Sequence, residues 1–190
     1  PLQAVIVPIL FDSTRERVLE KANEVYELLK GDVRIELDDR DEYKPGFKFN
    51  HWELKGVPVR IEIGPKDVEM GGVTLVRRDN REKVFCKFDK VEETLGDLMS
   101  AIQDSLYINA KRHLSESIVK VTTMDEFEKV IKKGKIAFAP WCGTPAAEEI
   151  VKEKTMAKSL NSPFKQEAPS EKCFITGQDA KMWTYFARSL

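Results

Sequence analysis

Carboxylate and cationic side chains alternate with apolar ones along one predicted strand, where they are suited to recognition chemistry. Arg60 and Glu62 lie on one face of this strand, residues 57–63, whose other face is apolar. A carboxylate accepts hydrogen bonds from the N1–H and exocyclic amine of guanine, whereas Arg or Lys donates to its O6 and N7. Contact with base edges is therefore one chemistry that this strand and the segments beside it could perform. The candidate residues are Glu53, Arg60, Lys66, Asp67, Arg77 and Arg78.

The same pattern has a purely structural explanation. Alternating charge on the outer face of a strand is commonly no more than a solvated surface. Bases of unpaired RNA loops stack on aromatic side chains. Base stacking is therefore the function that RNA binding would assign to the aromatic residues beside the strand, Phe47, Phe49, His51 and Trp52. Phe47, Phe49 and Trp52 are nevertheless more typical of a hydrophobic core. Spacing alone leaves both explanations open.

The elements that must position these residues begin with an α/β pattern. Residues 3–10 form a continuous apolar run, as in a strand buried on both faces. Ser13 and Glu16 predict a capping box for the helix that follows, and residues 33–37 alternate as a second strand. The strand–helix–strand order favours a parallel pair. The predicted apolar stripe of the helix is Val18, Ala22, Val25 and Leu29.

The middle of the chain predicts a hairpin between two helices. A polar turn at Pro45-Gly46 leads into a short helix that ends at Gly56, and Lys66 and Asp67 are placed in the loop after the strand. Residues 72–78 and 82–88 are predicted to pair around Asp79-Asn80. A long helix closes this domain near residue 117. Its predicted inner face is Val91, Leu95, Leu98, Met99, Ile102 and Leu106.

The remaining residues predict a second, smaller α/β domain. Thr123 and Glu126 indicate a capped helix, and residues 136–139 a short strand. A further helix is expected after Pro145, then a loop over 161–172 and a closing hairpin. The fold class is α/β: a mixed β-sheet flanked by helices at 1–117, followed by a small α/β domain at 118–190.

Composition excludes several classes of protein. The 190 residues carry a formal net charge of −1, so any contact with nucleic acid must come from a local patch. No segment approaches the roughly 18 apolar residues of a membrane span, and the start lacks the features of a signal peptide. Three widely spaced cysteines argue against a secreted disulfide framework. We expect an intracellular protein, and the missing initiator Met indicates a piece of a longer chain.

No catalytic centre is predicted. The sequence contains no Walker loop, HExxH or GxSxG motif. Neither His51 nor His113 has partners that would form a catalytic triad. The candidate residues are therefore assigned to binding.

A long segment narrows the class of protein. PGFKFNHWELKGVPVRIEIGPKDVE resembles the anticodon-binding domain of prolyl-tRNA synthetases of the archaeal and eukaryotic type. The resemblance continues through GGVTLVRRDN and GKIAFAPWCG to WTYFARSL, and so covers essentially the whole chain. Histidyl, threonyl and glycyl synthetases share the fold, but FNHWELKGVPVRIEIGP is closer to the prolyl pattern.

The resemblance implies specific contacts. Proline anticodons end in two guanines, and in this family the residues matching Glu53, Arg60, Lys66 and Asp67 face those bases. Arg77 or Arg78 is expected to add a base or phosphate contact. The implied partner is tRNA(Pro), and the implied fold is the anticodon-binding fold of class II synthetases.

The resemblance also implies what lies outside this chain. The full-length family member is a cytoplasmic, homodimeric ligase that attaches proline to tRNA(Pro) with ATP and Mg²⁺. The class II motifs that bind ATP are absent from this sequence. We therefore expect the fragment to need no cofactor, to be inactive alone, and to be free of the dimer interface that the catalytic domain generally makes.

The C-terminal domain of the family often holds a structural zinc ion on four cysteines. Cys142 and Cys173 occupy two of these positions, whereas Ala147 and Thr176 occupy the other two. Two thiolates do not make a closed tetrahedral site, so no zinc is predicted. Cys86 is expected to be a core residue. The family chain typically ends in Tyr, so Leu190 departs from the pattern.

Two other functions remain open from the sequence. The fold can serve as a protein-interaction module, to which a near-neutral charge is no obstacle. A metal or redox domain centred on Cys142 and Cys173 is a weaker alternative. Salt dependence separates RNA binding from an apolar protein interface, because only phosphate contacts lose affinity steeply with added salt.

Overall fold

A computed structural model describes residues 1–188 of the chain. These residues fold as two compact units, Pro1–Ile108 and the part from Asn109 onward. The division falls inside the long helix α4 (Val91–Ser117), whose last residue is the domain boundary predicted from the sequence. Each unit has its own sheet and its own hydrophobic core.

The first unit is built on a mixed five-stranded sheet of order β2-β1-β3-β4-β5. β1 pairs in parallel with β2 and β3, and β3, β4 and β5 pair antiparallel. The predicted α/β class with a mixed sheet is thereby confirmed. The strands are β1 (Ala4–Pro8), β2 (Ile35–Leu37), β3 (Val59–Ile63), β4 (Gly72–Arg77) and β5 (Lys83–Lys87). The helices are α1 (Arg15–Leu29), α2 (Pro45–Leu54), α3 (Pro65–Met70) and α4.

One face of this sheet carries the main core. Side chains from the strands, such as Ile6, Ile61 and Leu75, pack against buried residues of α1 and α4. The capping box predicted at Ser13 is wrong: α1 begins after Thr14, and no side chain caps its first turn. Leu106, predicted on the inner face of α4, is half exposed, so the buried part of that face ends at Ile102.

The other face of the sheet is only partly apolar. Val5 and Val7 of β1 pack against Trp52 of α2 and Val57, which forms a small second cluster. The neighbouring strands β3, β4 and β5 present polar and charged side chains on this same face. α2 thus covers one half of the face and leaves the other half for the candidate residues.

The second unit has a four-stranded sheet of order β6-β7-β9-β8 within the described residues. The predicted capping box is confirmed, since Thr123 and Glu126 each accept a hydrogen bond from the other's backbone N–H. Phe127 and Phe186 meet edge to face in the core. The strands are β6 (Ile118–Lys120), β7 (Ile136–Trp141), β8 (Ala157–Ser159) and β9 (Met182–Arg188), and the helices are α5 (Met124–Lys132) and α6 (Pro145–Thr155).

The closing hairpin predicted from residue 173 onward is wrong. β9 pairs with β7 on one side and β8 on the other, so it is an inner strand of the sheet. The preceding residues form only a turn, closed by a single bridge between Lys172 and Asp179. Apolar alternation in the sequence shows that a strand exists, but its partners depend on which distant strands offer free edges.

Candidate nucleic-acid interface

The register of the first sheet gathers polar side chains on one face. Arg60 lies beside Val76 of β4, and Glu62 lies beside Thr74. Directly paired residues point to the same side of a sheet, so all four share the face that α2 partly covers. Lys83 of β5 joins them because it pairs with Val76.

One side of α2 borders this face. Gly46, Phe49, Asn50 and Glu53 line a cavity above β3 and β4, at the i, i+3, i+4 and i+7 spacing of a single helical face. A polar turn was predicted at Pro45, but Pro45 is instead the first residue of α2, where the fixed φ of proline is favourable. The regular spacing of the helix therefore places Glu53 on the side of α2 that faces the cavity.

The opposite side of α2 is anchored by a buried polar cluster around Asp38. Trp52 Nε1 donates to Asp38 Oδ2 at 2.7 Å, and Lys48 Nζ donates to the Asp38 carbonyl oxygen at 2.9 Å. Arg40 donates twice to the same carboxylate, at 2.8 and 2.7 Å. Burial alone would raise the pKa of Asp38, but hydrogen bonds from Arg40 and Trp52, with the charge of Lys48, lower it to about 2. Burial lowers the pKa of Lys48.

An ion-pair network holds Arg60 in place at the cavity. Its Nη1 donates to Glu53 Oε1 at 3.0 Å, and its Nε and Nη2 lie 3.0 and 2.9 Å from Glu62 Oε1. Lys83 Nζ donates to the second oxygen of Glu62 at 3.1 Å. The guanidinium also lies 4.0 Å from the ring centre of Phe49. Arg60 is thus fixed on several sides.

The cavity beside this network measures about 320 Å³. That volume lies at the lower end of the range for small-molecule sites. Sequence reasoning missed Asn50, Arg81 and Lys83, which also line it. The register of the predicted hairpin could have identified Lys83, because counting outward from the Asp79-Asn80 turn pairs Lys83 with Val76.

Lys66 and Asp67 lie on α3, which corrects their predicted position in a loop. Asp67 Oδ2 accepts from the Gly64 backbone N–H at 2.9 Å and so caps the helix. Its Oδ1 accepts from Thr74 Oγ1 at 2.7 Å, which places the carboxylate at the edge of the polar face, next to the strand position opposite Glu62. Lys66, the preceding residue, is exposed.

The two consecutive arginines point in opposite directions. Arg77 pairs with Val59 and lies on the core side of the sheet, where its side chain is 8% exposed. It donates to Asp79, and its Nη2 lies 3.1 Å from Ser105 Oγ on α4. Hydrogen bonding to Asp79 raises its pKa. Its donors therefore hold the hairpin to the helix.

Arg78 is exposed and lies on the side of the candidate site. It lines a small recess together with Glu53, Arg60 and Val76. Around the cavity, cationic side chains outnumber acidic ones, although the chain as a whole has a net charge of −1. The cationic residues are Arg60, Arg78, Arg81 and Lys83, and the acidic ones are Glu53 and Glu62.

The cysteines occupy two different environments. Cys86 is buried in the first core, and burial raises the pKa of its thiol, as expected for a core residue. Cys142 and Cys173 are each 2% exposed and pack in one cluster with Ala147 and Ala180. Among the described residues, no group of three or more His, Cys, Asp or Glu side chains is placed to hold a metal ion. Leu190 lies outside the described residues.

A mixed α/β sheet with a fixed, locally cationic array of hydrogen-bond donors and acceptors is typical of a domain that recognises nucleic acid. Comparison with known proteins agrees. The family model described as "Anticodon binding domain" matches residues 3–98, and the model described as "Prolyl-tRNA synthetase, C-terminal" matches residues 124–190. The chain belongs to the prolyl-tRNA synthetase family and comprises its anticodon-binding and C-terminal domains.

Curated relatives support this membership. The chain is 45% identical to a proline–tRNA ligase of Alkaliphilus oremlandii, 41% identical to one of Ruminiclostridium cellulolyticum and 43% identical to one of Clostridium botulinum. Each match covers 100% of this chain but only 39% of the relative. Among the described residues, no helix combines the length and the apolar character needed to cross a membrane.

Proposed function

We propose that this chain recognises the anticodon of tRNA(Pro), with Glu53 and Arg60 contacting the edges of its two guanines. The observation that carries the proposal is the network joining Glu53, Arg60, Glu62 and Lys83 at the wall of an open cavity. A carboxylate and a guanidinium held side by side provide the acceptor and donor that a guanine edge requires.

Preorganisation makes this contact discriminating. Glu62 and Phe49 hold the Arg60 guanidinium in a fixed orientation, and Glu53, one-third exposed, keeps acceptor capacity toward the cavity. A base with the wrong edge would leave these groups desolvated and unpaired. Such a mismatch costs roughly 1–3 kcal/mol per base.

Lys66, Asp67 and Arg78 extend the proposed site. Asp67 lies at the far edge of the same polar face, and its carboxylate retains lone pairs beyond the two that cap α3 and bind Thr74. Arg78 is exposed beside Glu53, which suits a phosphate contact. Arg77 is assigned to folding, because it lies on the core side of the sheet, away from the cavity, and donates there to Asp79 and Ser105.

For the full-length protein we propose the activity of its relatives: ATP- and Mg²⁺-dependent attachment of proline to tRNA(Pro) in the cytoplasm. The chain spans about 39% of the length of the curated relatives it matches. The catalytic chemistry, and the dimer interface that the family places in the catalytic domain, are assigned to the remaining part. This fragment would supply the choice of tRNA.

Binding measurements test the proposal. The chain is titrated with tRNA(Pro) and with the same tRNA carrying replacements of both anticodon guanines, each at low and moderate salt. We expect about tenfold or greater loss of affinity for the altered anticodon, roughly 1.4 kcal/mol. Glu53→Ala and Arg60→Ala should abolish that difference, whereas Glu20→Ala and Arg17→Ala on α1, across the sheet, should preserve it.

Two outcomes would contradict the proposal. Equal affinity for both tRNAs would show that the chain binds RNA without recognising the anticodon. Absence of RNA binding, together with salt-insensitive binding to a protein, would favour the alternative of a protein-interaction module.

A further inference from the structure

We propose that the second unit folds without zinc, around four positions that retain the geometry of a Cys₄ zinc site after two of them have lost their thiols. The positions are Cys142, Ala147, Cys173 and Thr176. This inference concerns folding of the second unit and does not depend on RNA recognition by the first.

The spacing and backbone of a metal site are present. Cys142 and Ala147 are separated by four residues, and Cys173 and Thr176 by two, both within the ligand spacings of structural zinc sites. A glycine with positive φ follows Cys142 in the first pair, Gly143 at +75°, and another directly follows Thr176 at the end of the second pair, Gly177 at +69°. The left-handed conformation, which glycine adopts without a steric penalty, turns the backbone sharply beside each pair.

The second pair lies on a tight, hydrogen-bonded turn. The Gly177 N–H donates to the Cys173 carbonyl at 2.9 Å, and the Cys173 N–H donates to the Gln178 carbonyl at 2.8 Å. Lys172 and Asp179 close the same turn with an ion pair. These contacts fix the turn with protein groups alone.

The side chains of all four positions converge. Cys142, Ala147 and Cys173 belong to one buried cluster, and Thr176 Oγ1 lies 3.9 Å from Cys142 Sγ. Thr144, the N-cap of α6, lies 3.4 Å from the same sulfur. A zinc ion would meet two thiols, a methyl group and hydroxyls at this point, which is not the four-thiolate donor set of a structural site.

Burial indicates what replaces the metal. Ala147 is 0% exposed and the two cysteines 2% exposed, so the centre excludes water and the cysteines pack there as small side chains. Phe174, next to Cys173, packs against Phe127 in the core of the second unit, with the ring centres 4.7 Å apart. Its N–H also donates to the Pro140 carbonyl at 3.2 Å. Apolar packing and these hydrogen bonds hold together the segments that a zinc ion would otherwise link.

The double variant Ala147→Cys, Thr176→Cys tests the geometry directly. We expect it to bind one equivalent of Zn²⁺, and Co²⁺ with the intense visible absorption of tetrahedral thiolate coordination. Its thermal unfolding midpoint should rise with added Zn²⁺ and return on chelation. The wild-type chain should contain far less than one equivalent of zinc after purification, and a chelator should leave its unfolding midpoint unchanged.

Matched variants keep the test decisive. The double variant Ala147→Ser, Thr176→Ser places side chains close to cysteine in size, but without a thiol, at both positions. It should bind neither Zn²⁺ nor Co²⁺. Thr176→Cys alone gives three thiols and should bind Co²⁺ more weakly than the double variant. The proposal is overturned if the wild-type chain holds stoichiometric zinc and melts earlier in chelator, or if the folded double variant shows no tetrahedral Co²⁺ spectrum.

Discussion

Trp52 Nε1 donates a 2.7 Å hydrogen bond to Asp38 Oδ2, and this buried contact joins α2 to the segment that follows β2. Glu53 is the next residue of the helix and faces the cavity on the other side. The orientation of α2, and with it the position of Glu53 against Arg60, therefore depends on a buried contact outside the proposed site. The proposed recognition by Glu53 therefore depends on correct folding around Asp38.

Trp52→Phe should destabilise the first unit by about 1.5–3 kcal/mol, because it removes a hydrogen bond to a buried charged group. Urea unfolding monitored by circular dichroism measures this loss. Trp141→Phe is the matched control, since Trp141 Nε1 is buried without a hydrogen-bond partner among the described residues. Equal losses for the two variants would show that the Asp38 contact contributes nothing beyond ring packing.

The stability of the first unit should fall at acidic pH through Asp38. Its pKa is about 2 when folded, against 3.8 for the unpaired group, so its ionised form stabilises the fold above about pH 4. This contribution, about 2 kcal/mol, is lost as the pH falls through the folded pKa. The difference in unfolding free energy between wild type and Asp38→Asn should therefore shrink between about pH 5 and pH 2. A constant difference across that range would exclude this role of the carboxylate.

Substitution of the two consecutive arginines should have opposite consequences. Arg77→Ala leaves Asp79 without its partner and removes the contact to Ser105. We therefore expect the free energy of unfolding to fall by about 2–4 kcal/mol. Arg78→Ala should leave stability within about 0.5 kcal/mol of wild type and reduce the salt slope of tRNA binding by about one. Thermal unfolding and salt-dependent binding of both variants check this. A stable Arg77→Ala with a reduced salt slope would reverse the assignment.

Asp67 has a structural function that is separable from base contact. Asp67→Ala removes the cap of α3 and the contact to Thr74, and it should cost about 1–2 kcal/mol. Thr74→Val removes only the second contact, so its unfolding free energy should lie between those of wild type and Asp67→Ala. If Asp67 also contacts a guanine, Asp67→Ala weakens binding of tRNA(Pro) at temperatures where both variants are fully folded, and Thr74→Val does so less.

Glu62 should act by positioning Arg60. Glu62→Gln preserves size but weakens the hold on Arg60 and Lys83, because an amide lacks the charge of the carboxylate. We expect discrimination between normal and altered anticodons to fall by about tenfold, with a smaller loss of affinity for the altered tRNA. Competition binding with both tRNAs measures the ratio. An unchanged ratio would mean that Glu53 and Phe49 suffice to orient Arg60.

The strands that carry the site were predictable because their side chains alternate. The pattern of residues 57–63 placed Arg60 and Glu62 on the same face, and the structure agrees. α3 was missed, since a helix of six residues is too short to show a 3.6-residue period. Its first residues therefore seemed to be a loop, although Pro65 and Asp67 are typical of a helix start.

The sequence by itself determined the α/β class, the membership of the family through its long motif, and the presence of residue types suited to a guanine edge. Tertiary structure decided which of them can act. Alternation predicts that Arg77 and Arg78 point apart, but only the packing of α4 shows which side is core. Local periodicity is encoded by neighbours in the chain, whereas burial depends on distant elements that close over one face.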